Sequence, residues 1–280
     1  MISLILTIAC STSIALILKY SSVNKGNPIL LISSNYFTAS ILGFILFIIE
    51  SNAEYSLFTF LFGAVIGSVF VTSFFSFAKS IEVAGTALAT LSSRISLFIP
   101  VVLSIIFYNE SPNTIHITGF ALTGLTILLF SQSLRRDKTK TLLPKDYFYL
   151  TILMVGIGFC DFSMKVFQYT QPIEEKQFFI FSIFFFAFLY SFTIILIKKI
   201  PFNRKTIING TILGVPNIFS SIFLIGALES IAAILVYPLV NVGIILLTSI
   251  LAYLIWKESV NRIGIISLIT GVISIILLTL

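Results

Sequence analysis

The sequence predicts an all-α membrane protein of ten transmembrane helices in two inverted five-helix repeats. Three observations predict it. The chain is 58% hydrophobic and only 10% charged, against roughly 25% charged in a soluble domain. That is too little charge to coat a water-soluble globule. Apolar stretches recur at the length a bilayer demands, about 20 residues per crossing and about 28 with a short connection, so ten crossings fill the chain. The second half also repeats the pattern of the first. The same composition excludes disorder, a collagen-like chain and a disulfide scaffold.

The first span, 2–19, has no basic leader and no clear small-residue cleavage site, so it reads as an uncleaved helix rather than a signal peptide. Asn24–Pro28 breaks the chain before the second span, 29–49, and Glu50–Glu54 before the third, 57–78. The break near Lys79–Gly85 carries little turn chemistry, but 57–107 is too long for one crossing, so a fourth span covers 86–107. Asn109–Asn113 precedes the fifth, 115–133. A basic stretch leads to the sixth, 147–165, and Gln171–Lys176 to the seventh, 178–197, whose Phe178–Phe192 segment reads as lipid-facing bulk. Lys198–Lys205 separates it from the eighth, 207–226. The ninth, 232–256, and the tenth, 262–280, flank Lys257–Arg262. The expected organisation is a repeat at 1–133, a connecting loop at 134–146 and a second repeat at 147–280.

One offset carries Gly63 to Gly210, Gly67 to Gly214, Ser73 to Ser220 and Glu82 to Glu229. One residue to either side, Glu110 falls on Glu258, Ser111 on Ser259 and Lys19 on Lys165. The unit therefore has five helices. An odd count turns the second unit upside down, an arrangement that puts a substrate site near mid-membrane between the halves of a carrier. All 17 Lys and Arg residues except Arg94, Lys165 and Lys176 fall on the face that follows odd-numbered spans. The positive-inside rule puts that face in the cytoplasm and both termini outside, in a multi-pass protein of the cell (inner) membrane. The net charge of +6 is thus an orientation signal, and no nucleic-acid partner is expected.

The segments IEVAGTALATLSSRISLFIPVVLSIIFYNE (Ile81–Glu110) and LESIAAILVYPLVNVGIILLTSILAYLIWKE (Leu228–Glu258), with the five-plus-five repeat, resemble the drug/metabolite transporter superfamily, and within it the ten-helix proteins with two EamA-type domains. The resemblance spans essentially the whole chain and implies a secondary transporter. The chain departs from the family's common pattern between the second and third spans, where Glu50–Glu54 carries no Lys or Arg.

Arg94, in the middle of the fourth span, is the most informative residue, because an arginine at mid-bilayer costs about 2.5–3.5 kcal/mol even on the lenient insertion scale. It reads either as a cationic anchor for a substrate carboxylate or phosphate, or as an internal tie between helices. Ser93 and Ser96 beside it suit substrate hydrogen bonds or backbone bonds equally. Asn35, Tyr36, Asn217, Tyr237 and Asn241 are the other in-span polar candidates for substrate binding, with Asn241 opposite Ser93 in the repeat register. Asp161 and Lys165, four residues apart, read as a proton-coupling site or as a pair that neutralises itself. Pro100, Pro216 and Pro238 are candidate kinks. The Gly63/Gly67 and Gly210/Gly214 faces read as internal packing, with a dimer face as the alternative. Cys10 and Cys160 read as packing residues and His116 as an interfacial polar group. No Cys/His/carboxylate cluster suggests a metal, and no cofactor is expected.

The leading expectation is a secondary carrier for a small anionic or zwitterionic metabolite, such as an amino acid or organic acid, moved by alternating access. Its partners are that substrate and the bilayer, and it works as a monomer or homodimer. It should hold a central cavity lined by spans 2, 4, 8 and 9, with Arg94 exposed in it. A non-transporting membrane subunit is the alternative. An intramembrane enzyme ranks lower, because the chain has no His-Glu-x-x-His, Gly-x-Ser-x-Gly or membrane aspartate pair. No phosphate-binding loop for ATP is present either.

Overall fold

Asparagine starts many of the helices. In the computed structural model, which describes residues 1–24, 26–50, 54–84, 86–134, 144–257 and 261–280, the side chain of Asn27 accepts from the Ile29 and Leu30 amides at 3.0 and 3.2 Å. Asn113 accepts from His116 N at 2.7 Å, Asn203 from Thr206 N at 3.1 Å and Asn261 from Gly264 N at 2.8 Å. Each bond satisfies an amide that the helix itself cannot, which matters most where no water can do so. The helices are α1 (Ile2–Val23), α2 (Pro28–Ile49), α3 (Leu57–Ala84), α4 (Thr86–Ile95), α5 (Phe98–Tyr108), α6 (Thr114–Ser133), α7 (Pro144–Thr170), α8 (Lys176–Lys198), α9 (Arg204–Leu228), α10 (Ala233–Trp256) and α11 (Arg262–Thr279), with one 3-10 turn at Ile173–Glu175. Among the described residues ten spans are long and apolar enough to cross a bilayer, α4 and α5 together forming the fourth. The chain is a multi-pass membrane protein.

The fourth span is not the continuous 86–107 helix expected. It breaks at Ser96–Leu97, one turn before Pro100. Proline has no N–H to bond the carbonyl four residues back, and its ring crowds that carbonyl, which here belongs to Ser96. The backbone switches to three-residue bonds there, Leu97 N to Arg94 O at 3.3 Å and Ile99 N to Ser96 O at 3.0 Å. Pro216 and Pro238 sit inside α9 and α10 without ending them. The third and sixth spans run longer than expected, because Lys79 and Lys165 do not end their helices. Lys79 pairs with Glu82 on the same helix at 2.8 Å, and Lys165 is buried against a partner described below.

The helices pack in a regular scheme. α1 lies on α9 and α10, α2 on α8 and α9, α3 on α7 and α8, the two halves of the fourth span on α7, and α6 on α11. The glycine pairs permit the closest approaches, as read from sequence. A Cβ on Gly67 would stand 2.7 Å from the Ile183 carbonyl oxygen, and one on Gly214 2.7 Å from that of Asn35. The α8 aromatics correct the lipid-facing expectation. Phe179 and Phe184 are wholly buried, and the Phe179 ring stacks on Phe167 at 4.3 Å and Phe62 at 5.2 Å. Helical periodicity turns one side of that segment inward and only the other toward lipid.

Candidate functional site

Arg94 ends α4 just before the break and points into the bundle. Its Nη1 donates to Asn241 Oδ1 of α10 at 3.1 Å. Its Nε is buried with no hydrogen-bond partner. No carboxylate pairs with it directly among the described residues, although the Arg94 and Asp161 charges interact through space. Asn241 is held in turn by a bond from its Nδ2 to the Tyr237 carbonyl at 3.1 Å. The Tyr237 hydroxyl donates to the Asp161 carbonyl at 2.7 Å. Side-chain bonds therefore link Arg94 to Asn241 and the Tyr237 hydroxyl to the Asp161 backbone carbonyl, joining the fourth span to the ninth and the ninth to the sixth.

The other expected binding residues divide. The Ser93 and Ser96 hydroxyls donate to the Thr90 and Ser93 carbonyls at 3.1 and 2.7 Å, within their own turns. Asn35 and Asn217 join each other across α2 and α9 at 3.1 Å, apart from the Arg94 contacts. Tyr36 is buried with its ring 6.1 Å from that of Phe184, in the apolar core.

The Asp161–Lys165 pair does not form. Lys165 Nζ turns to Glu110 Oε1 at 3.1 Å and Gln168 Oε1 at 3.1 Å, and lies 5.4 Å above the Tyr108 ring. Spacing alone favoured Asp161, but Glu110 offers a second attraction. Its carboxylate also accepts the Ala233 and Ile234 amides at 3.1 and 2.9 Å, the first two of α10. An anion there is favoured by the helix dipole. Sequence reasoning missed Glu110 as an interior residue. The signal was the Asn109 turn, a left-handed residue (φ 52°) that reverses the chain at the end of α5.

The described residues include two surface grooves. One of about 280 Å³ is lined by Met1, His116, Leu235, Leu239 and Leu278, and one of about 310 Å³ by Leu16, Tyr20, Asn209 and Ile255. Neither reaches Arg94, so neither is the central cavity expected. Cys10 and Cys160 are free thiols. Glu258 and Ser259, the repeat partners of Glu110 and Ser111, lie outside the described residues, as does most of the connecting loop.

Comparison with known proteins supplies a fold. No protein-family model matches the chain. It is 26% identical to an uncharacterized protein of Haemophilus influenzae, over 94% of this chain and 92% of that one. A protein of known crystal structure superposes with a TM-score of 0.81 at 14% identity, covering 99% of this chain and 95% of the other. The ten-span architecture is therefore shared along its full length with an experimentally determined fold.

Proposed function

We propose that the chain is a secondary transporter of a small anionic or zwitterionic metabolite, related to the ten-helix drug/metabolite transporters its sequence resembles, and that Arg94 binds the substrate's carboxylate. The observation that carries this reading is the state of Arg94. A half-buried arginine held by one neutral amide, with a buried and idle Nε, has donors to spare, and its planar fork suits a carboxylate. Asp161, on the adjoining span, is a carboxyl with no ion pair of its own among the described residues. A substrate bearing both an ammonium and a carboxylate complements the two.

An inverted repeat explains other features. Exchanging each span with the one five places on maps α1 on α9 to α7 on α3, and α2 on α9 to α8 on α3. Ser56 caps Thr59 N at 3.1 Å where Asn203 caps Thr206 N, and Asn113 matches Asn261. The left-handed residues Asn109 and Lys257 end the fourth and ninth spans alike. The offset that aligns the glycine pairs carries Arg94, rather than its neighbour Ser93, to Asn241, its hydrogen-bond partner. Such a pair lies on the axis relating the halves, where a carrier places its substrate.

The fitting experiment is uptake into proteoliposomes, screened over amino acids, sugar phosphates and organic acids, with Arg94→Ala as control. Accumulation of a carboxylate solute by the wild type but not by Arg94→Ala supports the proposal; equal accumulation by both removes Arg94 from it. The second reading, a non-transporting membrane subunit, draws on the grooves, since neither reaches Arg94. It predicts no uptake of any solute in that screen.

A further inference from the structure

Glu110 joins three spans with one carboxylate. It sits just past the Asn109 turn at the end of α5, receives Lys165 from α7 and accepts the first two amides of α10. Both charged side chains are nearly sealed from solvent, at 9% and 12% exposure. Ala232, at the N-cap of α10, supplies no side-chain bond, so Glu110 is the group that satisfies that helix start. The clasp is also close to the candidate site: Lys165 follows Asp161 by one helical turn on α7, and Tyr237 follows Ala233 by one turn on α10. The same end of the bundle carries two further charged contacts. Lys176 pairs with Glu229 at 3.5 Å, and Glu175 accepts from Ser56 at 2.8 Å and from Thr59.

From this arrangement we infer that the Glu110 clasp is the gate at one end of the transport path, closed in this structure, and that Glu110 is the positioning residue whose release from Lys165 and from the α10 amides opens that end to Arg94. The inference rests on the carrier reading. Its physical basis is that a carboxylate shared by three helices cannot keep all its partners when any one of them moves away. Parting of the fourth span from the ninth breaks two backbone bonds at once, and parting from the sixth strands a buried ammonium. The gate is therefore two-state, held shut as a unit. Ser92 ties α4 to α7 separately, through the Leu150 carbonyl at 2.7 Å, near the opposite end of α7. That contact allows the Glu110 end to part while the other end stays joined.

The test reads accessibility without substrate, so it stands apart from any failure to find one. In a Cys10→Ser/Cys160→Ser background, Asn241→Cys places a thiol beside Arg94. Glu110→Gln keeps the shape of the clasp and removes its charge. A membrane-impermeant thiol reagent applied from the Glu110 face should then label position 241 faster by roughly tenfold or more. An unchanged rate in the presence of Glu110→Gln overturns the gate. Should that variant fail to fold, a second arm decides. Glu110→Cys with Lys165→Cys, in the same background but with Asn241 retained, is bridged by a short thiol crosslinker. Bridging should abolish labelling at a thiol introduced by Tyr237→Cys only when the reagent comes from the Glu110 face, relative to a sample treated with a monofunctional thiol blocker of the same length. Equal labelling in the two samples overturns it.

Discussion

Arg94 and Lys165 are both cations inside the bundle, and they are held in opposite ways. Lys165 has a carboxylate, an amide oxygen and an aromatic face around one ammonium. Its partner Glu110 is itself saturated by two backbone amides. Arg94 has a single bond to a neutral amide and a buried Nε with nothing to bond. On the proposed transport reading, the difference separates a charge that holds the protein together from one kept available. A buried pair with complete hydrogen bonding holds as a unit, and removing one member strands the other. A half-buried cation with spare donors carries a standing cost, which is recovered when an anion arrives.

The comparison can be broken first at Lys165. Lys165→Met leaves Glu110 without its counter-charge and should lower unfolding free energy by about 3–5 kcal/mol, read by denaturant unfolding in detergent. Adding Glu110→Gln should restore part of the loss. A Lys165→Met protein as stable as wild type would remove the distinction. Arg94→Ala should act on the other axis. Substrate binding should weaken by about 1.5–3 kcal/mol, the range for a hydrogen bond to a charged group, with a smaller change in the melting temperature than Lys165→Met produces. Two further substitutions sharpen the structural side. Gly214→Ala puts a Cβ 2.7 Å from the Asn35 carbonyl oxygen and should cost about 1–3 kcal/mol through overpacking of α2 on α9. Asn217→Ala removes only the bond to Asn35 and should cost about 0.6 kcal/mol, the mean for polar contacts between membrane helices. Neither should change discrimination between a carboxylate substrate and its uncharged analogue in a binding assay.

The spans were legible because hydropathy and length dictate them; the Asn203 cap starts α9 at Arg204, three residues before the expected 207. The glycine faces were legible for the same reason: Gly67 and Gly214 leave space only a close neighbour fills. The break at Ser96–Leu97 was half legible, since Pro100 predicts a kink but not whether a helix ends. Pro216 and Pro238 lie inside their helices without ending them. The central polar contacts were legible in part: the Arg94, Tyr237 and Asn241 side chains stood out in apolar surroundings, whereas Asp161 takes part through its backbone carbonyl, which any residue would supply. Their order was not legible, because hydrogen bonding across spans depends on helix rotation that sequence spacing leaves open. Ser93 and Ser96 show the same limit, since a hydroxyl that faces a ligand and one that bonds its own turn look identical in sequence. Lys165 shows its converse, where a long-range carboxylate outcompetes a local one.

The central claim is that the idle donors of Arg94 read a substrate carboxylate, and a cycle combining ligand and residue changes tests it most directly. Binding of a transported carboxylate and of its amide analogue would be measured by ligand-induced thermal shift in wild type and in Arg94→Ala. The account predicts that wild type prefers the carboxylate by roughly 10-fold or more and that Arg94→Ala binds the two alike. An equal preference for the carboxylate in both proteins would contradict it.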